Sequence, residues 1–422
     1  MTAAGRLGPP AQGHHGHSSG RKHEMSNSDR VLIAGGGPVG LVSALVLARA
    51  GITVTVFEAE AEPIEDLRAS TFHPPTLDML DELGLTQRLI GDGLIAPTWQ
   101  IRDRRTGPVV TLDMSALKDD TGHPYRVQCE QWKLVRYALS DLAEFDNATV
   151  LFGHRAIGVR QDADTVTLEV EGPEGPAAFS GRYLIGADGA NSAVRQTLDI
   201  PFTGFTYEEL FLSVSTPFEL ADHFPELTYI NYITDPDEWL VLLRVKTLWR
   251  VLFPVAPDLP QDEALSDEFI EDRMQALLAQ PKPYEIAHRT LYRIHQRVAE
   301  TYRLGRVFIA GDAAHLNNPL GGMGLNGGLH DGINLTERLA KVWRGGDPDL
   351  LDQYERQRRP MAIEYVKEAT MRNQQLMNEQ DPAKRAASLD ELRRAADDPK
   401  AAYEMMLRAS MIGAVRKAAA IP

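Results

Sequence analysis

A carboxylate followed by a glycine-rich loop is the most informative chemical feature of this chain. A short apolar run at residues 307–310 ends in Gly311-Asp312, and a loop that contains Pro319 and several glycines leads to a helix predicted over 323–343. This layout places a carboxylate and then bare backbone amides at the carboxyl end of a strand. Such groups can hold a polyhydroxy chain and point a helix N-terminus at an electron-rich ring.

A second signal, near the amino-terminal end, is the GxGxxG pattern of Gly35, Gly37 and Gly40 directly after an apolar strand. The first glycine permits a tight turn, the second lets the backbone approach a pyrophosphate, and the third lets the helix lie close to the strand. The next predicted strand, residues 53–57, ends in Glu58, where an acid can accept hydrogen bonds from ribose hydroxyls. The pattern predicts a dinucleotide site. The alternative is a membrane helix across this apolar stretch, which the glycines and the proline between them disfavour.

Length and composition indicate a multidomain, acidic globular protein. The chain has 422 residues, a formal net charge of -15, 43% hydrophobic residues and a mean hydropathy of -0.27, which are typical of a soluble protein with a large core. Nucleic acid and anionic membranes both require a basic face, so we expect no nucleic-acid partner, no stable membrane association and a cytoplasmic location. The single cysteine, Cys129, gives no intrachain disulfide and no cysteine-based metal site. We expect no metal and interpret Cys129 as a small buried side chain.

The order of the predicted elements favours an α/β fold in which a β-rich block is inserted into a discontinuous nucleotide-binding domain. Residues 1–25, rich in Gly, Pro, His and Ser, are interpreted as a disordered leader. The nucleotide-binding domain is assigned to 26–100, 120–200 and 300–345, the β-rich substrate domain to 100–119 and 201–299, and a helical region to 346–422. Further helices are predicted over 74–90, 130–142, 266–279, 349–373 and 386–418, and strands over 148–152, 156–160, 164–170, 181–187, 306–310 and within 205–254.

Three motifs in order carry a family resemblance: GGGPVG at 35–40, GADGANSAVR at 186–195 and GDAAHLNNPLGGMGLNGG at 311–328. With them, the chain resembles the single-component (class A) FAD-dependent aromatic hydroxylases, the para-hydroxybenzoate hydroxylase-like flavoprotein monooxygenases. The resemblance implies a Rossmann-like FAD-binding domain with an inserted, mostly β substrate domain and C-terminal helices.

The same resemblance implies a set of FAD-binding residues. Backbone amides at a helix start would stabilise the negative charge of the reduced flavin. For Asp188 and Asp312 a structural turn is the alternative, and Arg195 could meet a phosphate or be an exposed helix residue. The set, in chain order, is Gly35, Gly37, Pro38, Val39, Gly40 and Glu58 for the ADP half, Arg68 near the flavin and pyrophosphate, Gln128 at the ribityl or phosphate region, Asp188 in a motif shared with the nicotinamide, Asp312 on a ribityl hydroxyl, Pro319 beside the ring, and Gly322, Gly324, Leu325 and Asn326 at its N1–C2=O edge.

Two strand arginines are candidates at the reacting end. Arg250 matches a family arginine near flavin and nicotinamide, and Arg244 lies where the para-hydroxybenzoate enzymes clamp a substrate carboxylate, for which a planar guanidinium is suited. Leu242 and Leu252 replace the polar and aromatic residues that the resemblance leads us to expect nearby. For Arg244, substrate binding and a structural role therefore both stay open.

Other candidates for the substrate pocket are Tyr229, Tyr232 and Pro319, although strand tyrosines are commonly core or rim residues. His73 is a candidate catalytic base, and its alternative is a surface or capping histidine. His315, inside the Asp312 motif, is expected to be structural.

The implied reaction is the hydroxylation of a phenolic or N-heteroaromatic substrate, which could carry a carboxylate, in aromatic compound catabolism. NADH or NADPH would reduce FAD, and O2 would form a flavin C4a-hydroperoxide that transfers OH to the ring. The expected partners are the small aromatic substrate and O2, with a homodimer as the candidate assembly. Three alternatives stay open: a flavin-dependent halogenase, whose WxWxIP signature the sequence lacks; a reductase or epoxidase of another substrate class; and a non-catalytic FAD-binding redox sensor.

Overall fold

A computed structural model describes residues 28–422 except Asp66 and Arg68. The leader predicted for residues 1–25 and the cofactor contact predicted for Arg68 therefore lie outside the described residues. The strands, numbered in chain order, are β1 (Val31–Ala34), β2 (Val54–Phe57), β3 (Thr71–Phe72), β4 (Leu94–Ala96), β5 (Thr98–Asp103), β6 (Gly107–Asp113), β7 (Arg126–Gln128), β8 (Ala148–Leu151), β9 (Arg155–Gln161), β10 (Val166–Gly172), β11 (Gly175–Gly181), β12 (Tyr183–Gly186), β13 (Phe202–Thr216), β14 (Ile230–Thr234), β15 (Leu240–Arg244), β16 (Trp249–Val255), β17 (His288–Ala299), β18 (Arg303–Leu304), β19 (Val307–Ile309) and β20 (His315–Leu316).

The helices surround the sheets and finish the chain. Short 3-10 turns occur at Met114–Leu117, Leu220–Asp222 and Gly311–Ala313, and a π-helical stretch covers Met361–Lys367. The α-helices are α1 (Pro38–Arg49), α2 (Pro74–Asp81), α3 (Thr86–Asp92), α4 (Gln131–Leu142), α5 (Ala193–Thr197), α6 (Gln261–Ala264), α7 (Asp267–Leu277), α8 (Met323–Trp343), α9 (Leu350–Pro360), α10 (Glu368–Met377), α11 (Pro382–Asp397), α12 (Pro399–Ala409) and α13 (Ile412–Ala419).

A six-stranded sheet of order β18-β19-β12-β1-β2-β8 brings the three sequence motifs to one edge. Its strands are parallel except at the edge strand β18, and its central strands are buried apolar runs, as sheets covered on both faces require. Ala34 pairs in register with Gly186, and Gly186 with Ile309. Each motif begins where one of these strands ends, so all three motifs meet at the carboxyl edge of the sheet, where ligands bind in open α/β folds.

Two glycines allow α8 to lie directly against α1. A Cβ atom on Gly328 would come within 2.8 Å of Val39 Cγ2, and one on Gly332 within 2.5 Å of Ser43 Oγ. Both distances are shorter than carbon and oxygen atoms tolerate, so larger residues would force the two helices apart. The spacing of four residues places both glycines on one face of α8, and this close approach fixes the N-terminus of one helix relative to the other.

The second large sheet has eight strands in the order β20-β17-β13-β16-β15-β14-β5-β6. Neighbouring strands are antiparallel except for the parallel pair β14 and β5. One face carries the short helices α6 and α7, and the other is covered by apolar side chains from α10 to α13. The predicted strand-rich segment is thus confirmed as β13 to β16, and β5 and β6, between residues 98 and 113, join the same sheet. The domain boundaries themselves stay a prediction.

The predicted fold class is confirmed, but some element predictions are wrong. The helix expected over 386–418 is three helices, because Asp398 caps α12 by accepting hydrogen bonds from the amides of Lys400 and Ala401 and Pro399 cannot continue α11. The chain turns again at Met411, which has a φ of 68°. Strands β11 and β17 were not predicted from the sequence. The helix expected over 349–373 is found as α9, the π-helical stretch after Pro360, and α10.

Within the part of the chain that the structure describes, no helix is both long and apolar enough to cross a bilayer. The same residues include no group of three or more His, Cys, Asp or Glu side chains placed to hold a metal ion. Cys129 is buried as expected, and burial raises the pKa of its thiol to about 12.

The contact between the first glycine loop and its helix predicts a large effect of a single methyl group. A Cβ atom on Gly40 would lie 2.0 Å from the carbonyl oxygen of Gly35, so we expect Gly40→Ala to lower the free energy of unfolding by about 3 kcal/mol, at the upper end of the range for overpacked sites. Gly91→Ala is the matched control, since nothing lies within 4 Å of its added Cβ. Chemical denaturation of both variants checks this, and equal stabilities would contradict it.

Candidate active site

The first glycine loop is built to receive a ligand rather than to cap its own helix. Gly35 has a φ of 103°, and a Cβ there would lie 2.2 Å from the carbonyl oxygen of Ala187. Gly37 is the N-cap of α1, with no side chain capping the helix and with open space where its Cβ would be. Pro38 occupies the first turn, where its missing N–H costs nothing. The free amides at this helix start are therefore available to an anion.

Glu58 stands beside this loop, as the sequence predicted. Its Oε2 accepts a hydrogen bond of 2.6 Å from the amide of Gly36, and its Oε1 accepts one of 2.9 Å from the amide of Glu60. These bonds hold the carboxylate at the carboxyl end of β2, next to the helix start. An acid in this place can accept hydrogen bonds from ribose hydroxyls.

The middle motif lies next to the glycine loop, because β12, which precedes the motif, pairs with β1, which precedes the loop. The carboxylate of Asp188 accepts a hydrogen bond of 3.1 Å from the amide of Val194, while its Oδ1 has no partner. Burial raises the pKa of the Asp188 carboxyl and outweighs the hydrogen bonds from Ser192 and from the amide of Val194, which lower that pKa. Arg195 is buried, not exposed, and donates to the carbonyls of Ala313 and Ala190. Arg195 thus ties the middle motif to the Asp312 segment.

Asp312 is exposed at the edge where the three motifs meet. The turn that contains Asp312 is fixed by hydrogen bonds to Asp331 on α8. The carboxylate of Asp331 on α8 accepts hydrogen bonds of 2.7 Å from Arg358 Nε and 3.3 Å from the amide of Gly311, and lies 2.7 Å from His315 Nε2. All of these groups are buried. Burial alone would raise the pKa of the Asp331 carboxyl, but His315 and Arg358 outweigh it and lower that pKa to about 2. His315 is therefore structural, as expected.

The loop at residues 317–322 ends in a second uncapped helix start. Gly322, with a φ of 66°, is the N-cap of α8 and provides no side-chain cap, and its amide donates to the carbonyl of Pro319 at 2.9 Å. Gly324 and Leu325, in the first turn of α8, are only half-buried. Their backbone amides have no carbonyl within the helix to bond, so they can face the electron-rich edge of a ring.

Residues 70–73, which we call the 70–73 segment, connect this loop to the rest of the site. The side-chain amide of Asn326 donates to the carbonyl of Thr71, and its oxygen accepts from the amide of His73 at 2.8 Å. The hydroxyl of Thr71 donates to Gln128 Oε1 at 3.0 Å, while the buried Gln128 Nε2 has no partner. The structure thus brings Gln128 and Asn326 together, and the free amide of Gln128 suits a ligand oxygen.

His73 lies beneath the loop and is fully buried. Its Nε2 is 2.9 Å from the carbonyl oxygen of Gly321, so the neutral ring donates there, and its Nδ1 has no partner. Burial, and then the charge of Arg126, hold the pKa of His73 well below its ordinary value. A surface location is thus wrong for His73, which is the N-cap residue of α2 without a side-chain cap bond, and its role as a base stays a proposal.

The two strand arginines lie on opposite faces of the eight-stranded sheet. Arg250 is buried on the face of Leu252 and donates to Ser70 Oγ at 3.1 Å, which places it beside the 70–73 segment. Arg244 is on the face of Leu242, because side chains alternate along a strand, and its Nη2 is 2.8 Å from Glu219 Oε2. The structure brings Arg250, but not Arg244, to the motif side.

A cavity of about 540 Å3 lies between the eight-stranded sheet, the start of α8 and the C-terminal helices. Of the three other predicted substrate residues, Tyr232 lines this cavity, whereas Tyr229, which is 40% exposed, and Pro319 do not. Its walls also include Trp99 and Arg126, which sequence reasoning missed. Arg126 is two positions before Gln128 on β7, so that alternation along the strand is the signal that could have found it.

Comparisons with known proteins agree with this geometry. The family described as FAD binding domain matches residues 29–369. The chain is 36% identical to a para-nitrophenol 4-monooxygenase from a Pseudomonas species over 371 residues, 86% of this chain and 90% of the relative. It is 35% identical to a 6-hydroxy-3-succinoylpyridine 3-monooxygenase from Pseudomonas putida, over 85% of this chain and 91% of the relative. The crystal structure of a p-nitrophenol 4-monooxygenase from Pseudomonas putida superposes with a TM-score of 0.86 at 33% identity, covering 90% and 96% of the two chains.

This chain belongs to the FAD-dependent aromatic hydroxylases. The predicted family, the flavoprotein monooxygenase activity and the FAD cofactor are thereby confirmed, and the halogenase, epoxidase and sensor alternatives are not supported. The uncapped starts of α1 and α8, Glu58, Asp312 and the free amide of Gln128 fit the two ends and the middle of this cofactor. Contacts of individual residues with FAD stay proposals.

The buried carboxylate of Asp331 predicts a pH-dependent contribution to stability. Because its folded pKa of about 2 is below the unfolded value near 4, its contribution is complete above about pH 4 and is lost as the pH falls towards 2. We expect Asp331→Asn, which leaves Arg358 buried without its anion, to lower the free energy of unfolding at pH 7 by about 3–5 kcal/mol. The difference from wild type should shrink below pH 4.

Denaturation curves between pH 2 and pH 7 measure this difference. Asp349→Asn is the matched control, because Asp349 forms an exposed ion pair with Arg356 and such pairs contribute little. A difference between wild type and Asp331→Asn that stays constant down to pH 2 would contradict the assignment.

Proposed function

We propose that this chain hydroxylates a small phenolic or N-heteroaromatic compound in aromatic catabolism, with NADH or NADPH as reductant and O2 as the oxygen donor. The observation that carries the proposal is the cavity of about 540 Å3 that has Gly321 and Met323, at the start of α8, in its wall. The volume suits a one-ring or two-ring compound. Relatives named for a nitrophenol and a hydroxypyridine, each similar over more than four-fifths of this chain, support the substrate class.

The proposed work of the protein is to hold, orient and shield the reacting groups. FAD, when bound, supplies the oxygen activation and the transfer of a hydroxyl group to an electron-rich ring. The start of α1 and Glu58 would hold the ADP half, and Asp312 and Gln128 the middle. The amides of Gly324 and Leu325 would stabilise negative charge on the reduced ring.

Arg250 is proposed to stabilise the reacting end from the sheet side. It is 5% exposed and bonded to Ser70, so its charge acts where water is largely excluded and is weakly screened. Trp99 and Tyr232 form an aromatic wall against which a substrate ring can lie. Closure of this volume by the C-terminal helices would exclude water from the reaction.

A turnover experiment with the purified FAD-loaded protein tests the function. NADH and NADPH oxidation would be followed together with O2 uptake while nitrophenols, hydroxybenzoates and hydroxypyridines are supplied one at a time. We expect at least one compound to accelerate oxidation by an order of magnitude, with one O2 consumed per reductant and with isotopically labelled oxygen from O2 in the product. Bound flavin that neither nicotinamide reduces would instead indicate a redox sensor, and reductant oxidation without label in the product would indicate a reductase or oxidase.

Removal of the Glu58 carboxylate should weaken FAD binding. Glu58→Ala removes both an acceptor for ribose hydroxyls and the hydrogen bond that orients the amide of Gly36, so we expect the dissociation constant of FAD to rise on the order of 10-fold or more. Glu60→Ala is the control, since the Glu60 side chain is 53% exposed and forms only a long, exposed ion pair with Arg155, at 3.9 Å. Fluorescence titration of the apoprotein measures both constants, and equal affinities for FAD would contradict the assignment of Glu58.

A further inference from the structure

Arg126 is a buried cation to which none of the roles proposed above is assigned. Its side chain is 2% exposed, and its Nη2 donates to the carbonyl oxygen of Ala409 at 2.9 Å. Its Nε and Nη1 are buried and form no hydrogen bond of good geometry, although the hydroxyl of Tyr232 lies close enough to favour the charged guanidinium. Among the described residues no carboxylate forms an ion pair with it. A buried guanidinium short of partners is costly, so this arrangement is suited to an anion that arrives with a ligand.

The surroundings of Arg126 keep it charged and aimed at the cavity. Burial lowers the pKa of Arg126, while the nearby Tyr232 raises it, and a guanidinium remains protonated under these conditions. The carbonyl of Ala409 lies at the C-terminus of α12, where the helix carries partial negative charge. The guanidinium carbon is 5.4 Å from the centre of the Trp99 ring, a cation–π distance. Three independent elements therefore hold one cation in place.

Arg126 is the only buried charged residue among the described residues that line this cavity. The other charged residues of the lining are exposed or half-buried, and their charges are screened by water. The cavity thus has one strong electrostatic pole, which lies next to the aromatic wall of Trp99 and Tyr232. The start of α8 is in the wall of the same cavity. A ring held between these walls can present an anionic substituent to Arg126.

We infer that Arg126 binds the anionic oxygen substituent of the aromatic substrate, either a phenolate oxygen or a carboxylate. This inference rests on the proposed function. Arg126 therefore takes the role that sequence reasoning weighed for Arg244, whose charge is already paired with Glu219 on the other face of the sheet. It makes the enzyme selective for aromatic anions over neutral rings of the same shape.

Binding to the oxidised, FAD-loaded enzyme without nicotinamide tests the inference. The change in flavin absorbance would give dissociation constants for 4-nitrophenolate, benzoate and neutral nitrobenzene. In Arg126→Gln we expect the constant for at least one of the two anions to rise about 30-fold or more, and that for nitrobenzene to change less than about 3-fold. Arg126→Lys, which keeps the charge but not the planar donor set, should fall between these results. The anion that is more strongly affected identifies the group that Arg126 recognises.

Arg102→Gln is the matched control for loss of a buried arginine from the same region. Arg102 is 4% exposed and donates to Gln100 and to the carbonyl of Pro225, away from the cavity lining, so its variant should bind all three ligands as wild type does. Equal losses for the anions and nitrobenzene in Arg126→Gln, or no loss at all, would overturn the inference while leaving the proposed function intact. A wild-type enzyme that binds FAD but none of these aromatic compounds would instead count against the proposed function.

Discussion

The site depends on how closely α8 can approach α1. Gly328 and Gly332 present bare backbone to Val39 and Ser43, and this contact joins two parts of the chain that are almost three hundred residues apart. Each helix begins with a glycine N-cap and no capping side chain. The distance between the two uncapped starts is therefore set by helix packing and not by flexible loops. A long cofactor can then contact one helix dipole at each end without the protein having to reorganise.

Buried polar bonds supply the second level of order. The loop before α8 contains two glycines in left-handed or related conformations, and such a loop has little intrinsic preference for one shape. Asn326 binds it to the 70–73 segment, and Asp331 binds the preceding turn to α9 through Arg358. Because these bonds are buried, breaking any one of them leaves an unpaired polar group. The shape of this loop is thus fixed by two side chains of α8, Asn326 and Asp331.

Much of the proposed cofactor site could be predicted from the sequence, because each of its motifs is a short run of neighbouring residues. Gly35, Gly37 and Gly40 have a spacing that a tight turn dictates, and Glu58 and Asp312 each end an apolar strand. The substrate layer could not be predicted in the same way. Arg244 and Arg250 both occupy positions on long strands, and only the register of the eight-stranded sheet decides which face each side chain takes. A one-residue difference in register reverses that choice.

Arg126 shows the same limit more clearly. In the sequence it is an ordinary charged residue on a three-residue strand, and its burial results from contacts with Trp99 and with α12, which arrive from opposite directions along the chain. The end of the chain was read as one amphipathic helix, so no partner for Arg126 could be proposed. Tertiary burial of a charge is not encoded in any short window of residues.

The carbonyl of Ala409 that meets Arg126 belongs to a part of the chain beyond the residues matched by the FAD-binding family. The proposed cofactor site lies at the six-stranded sheet and the starts of α1 and α8, whereas one wall of the cavity is formed by α10, α11 and α12. The proposed cofactor site and this wall of the cavity therefore come from different parts of the chain. Changes in these helices can therefore alter which aromatic compounds the cavity accepts, while the residues proposed to bind FAD remain unchanged.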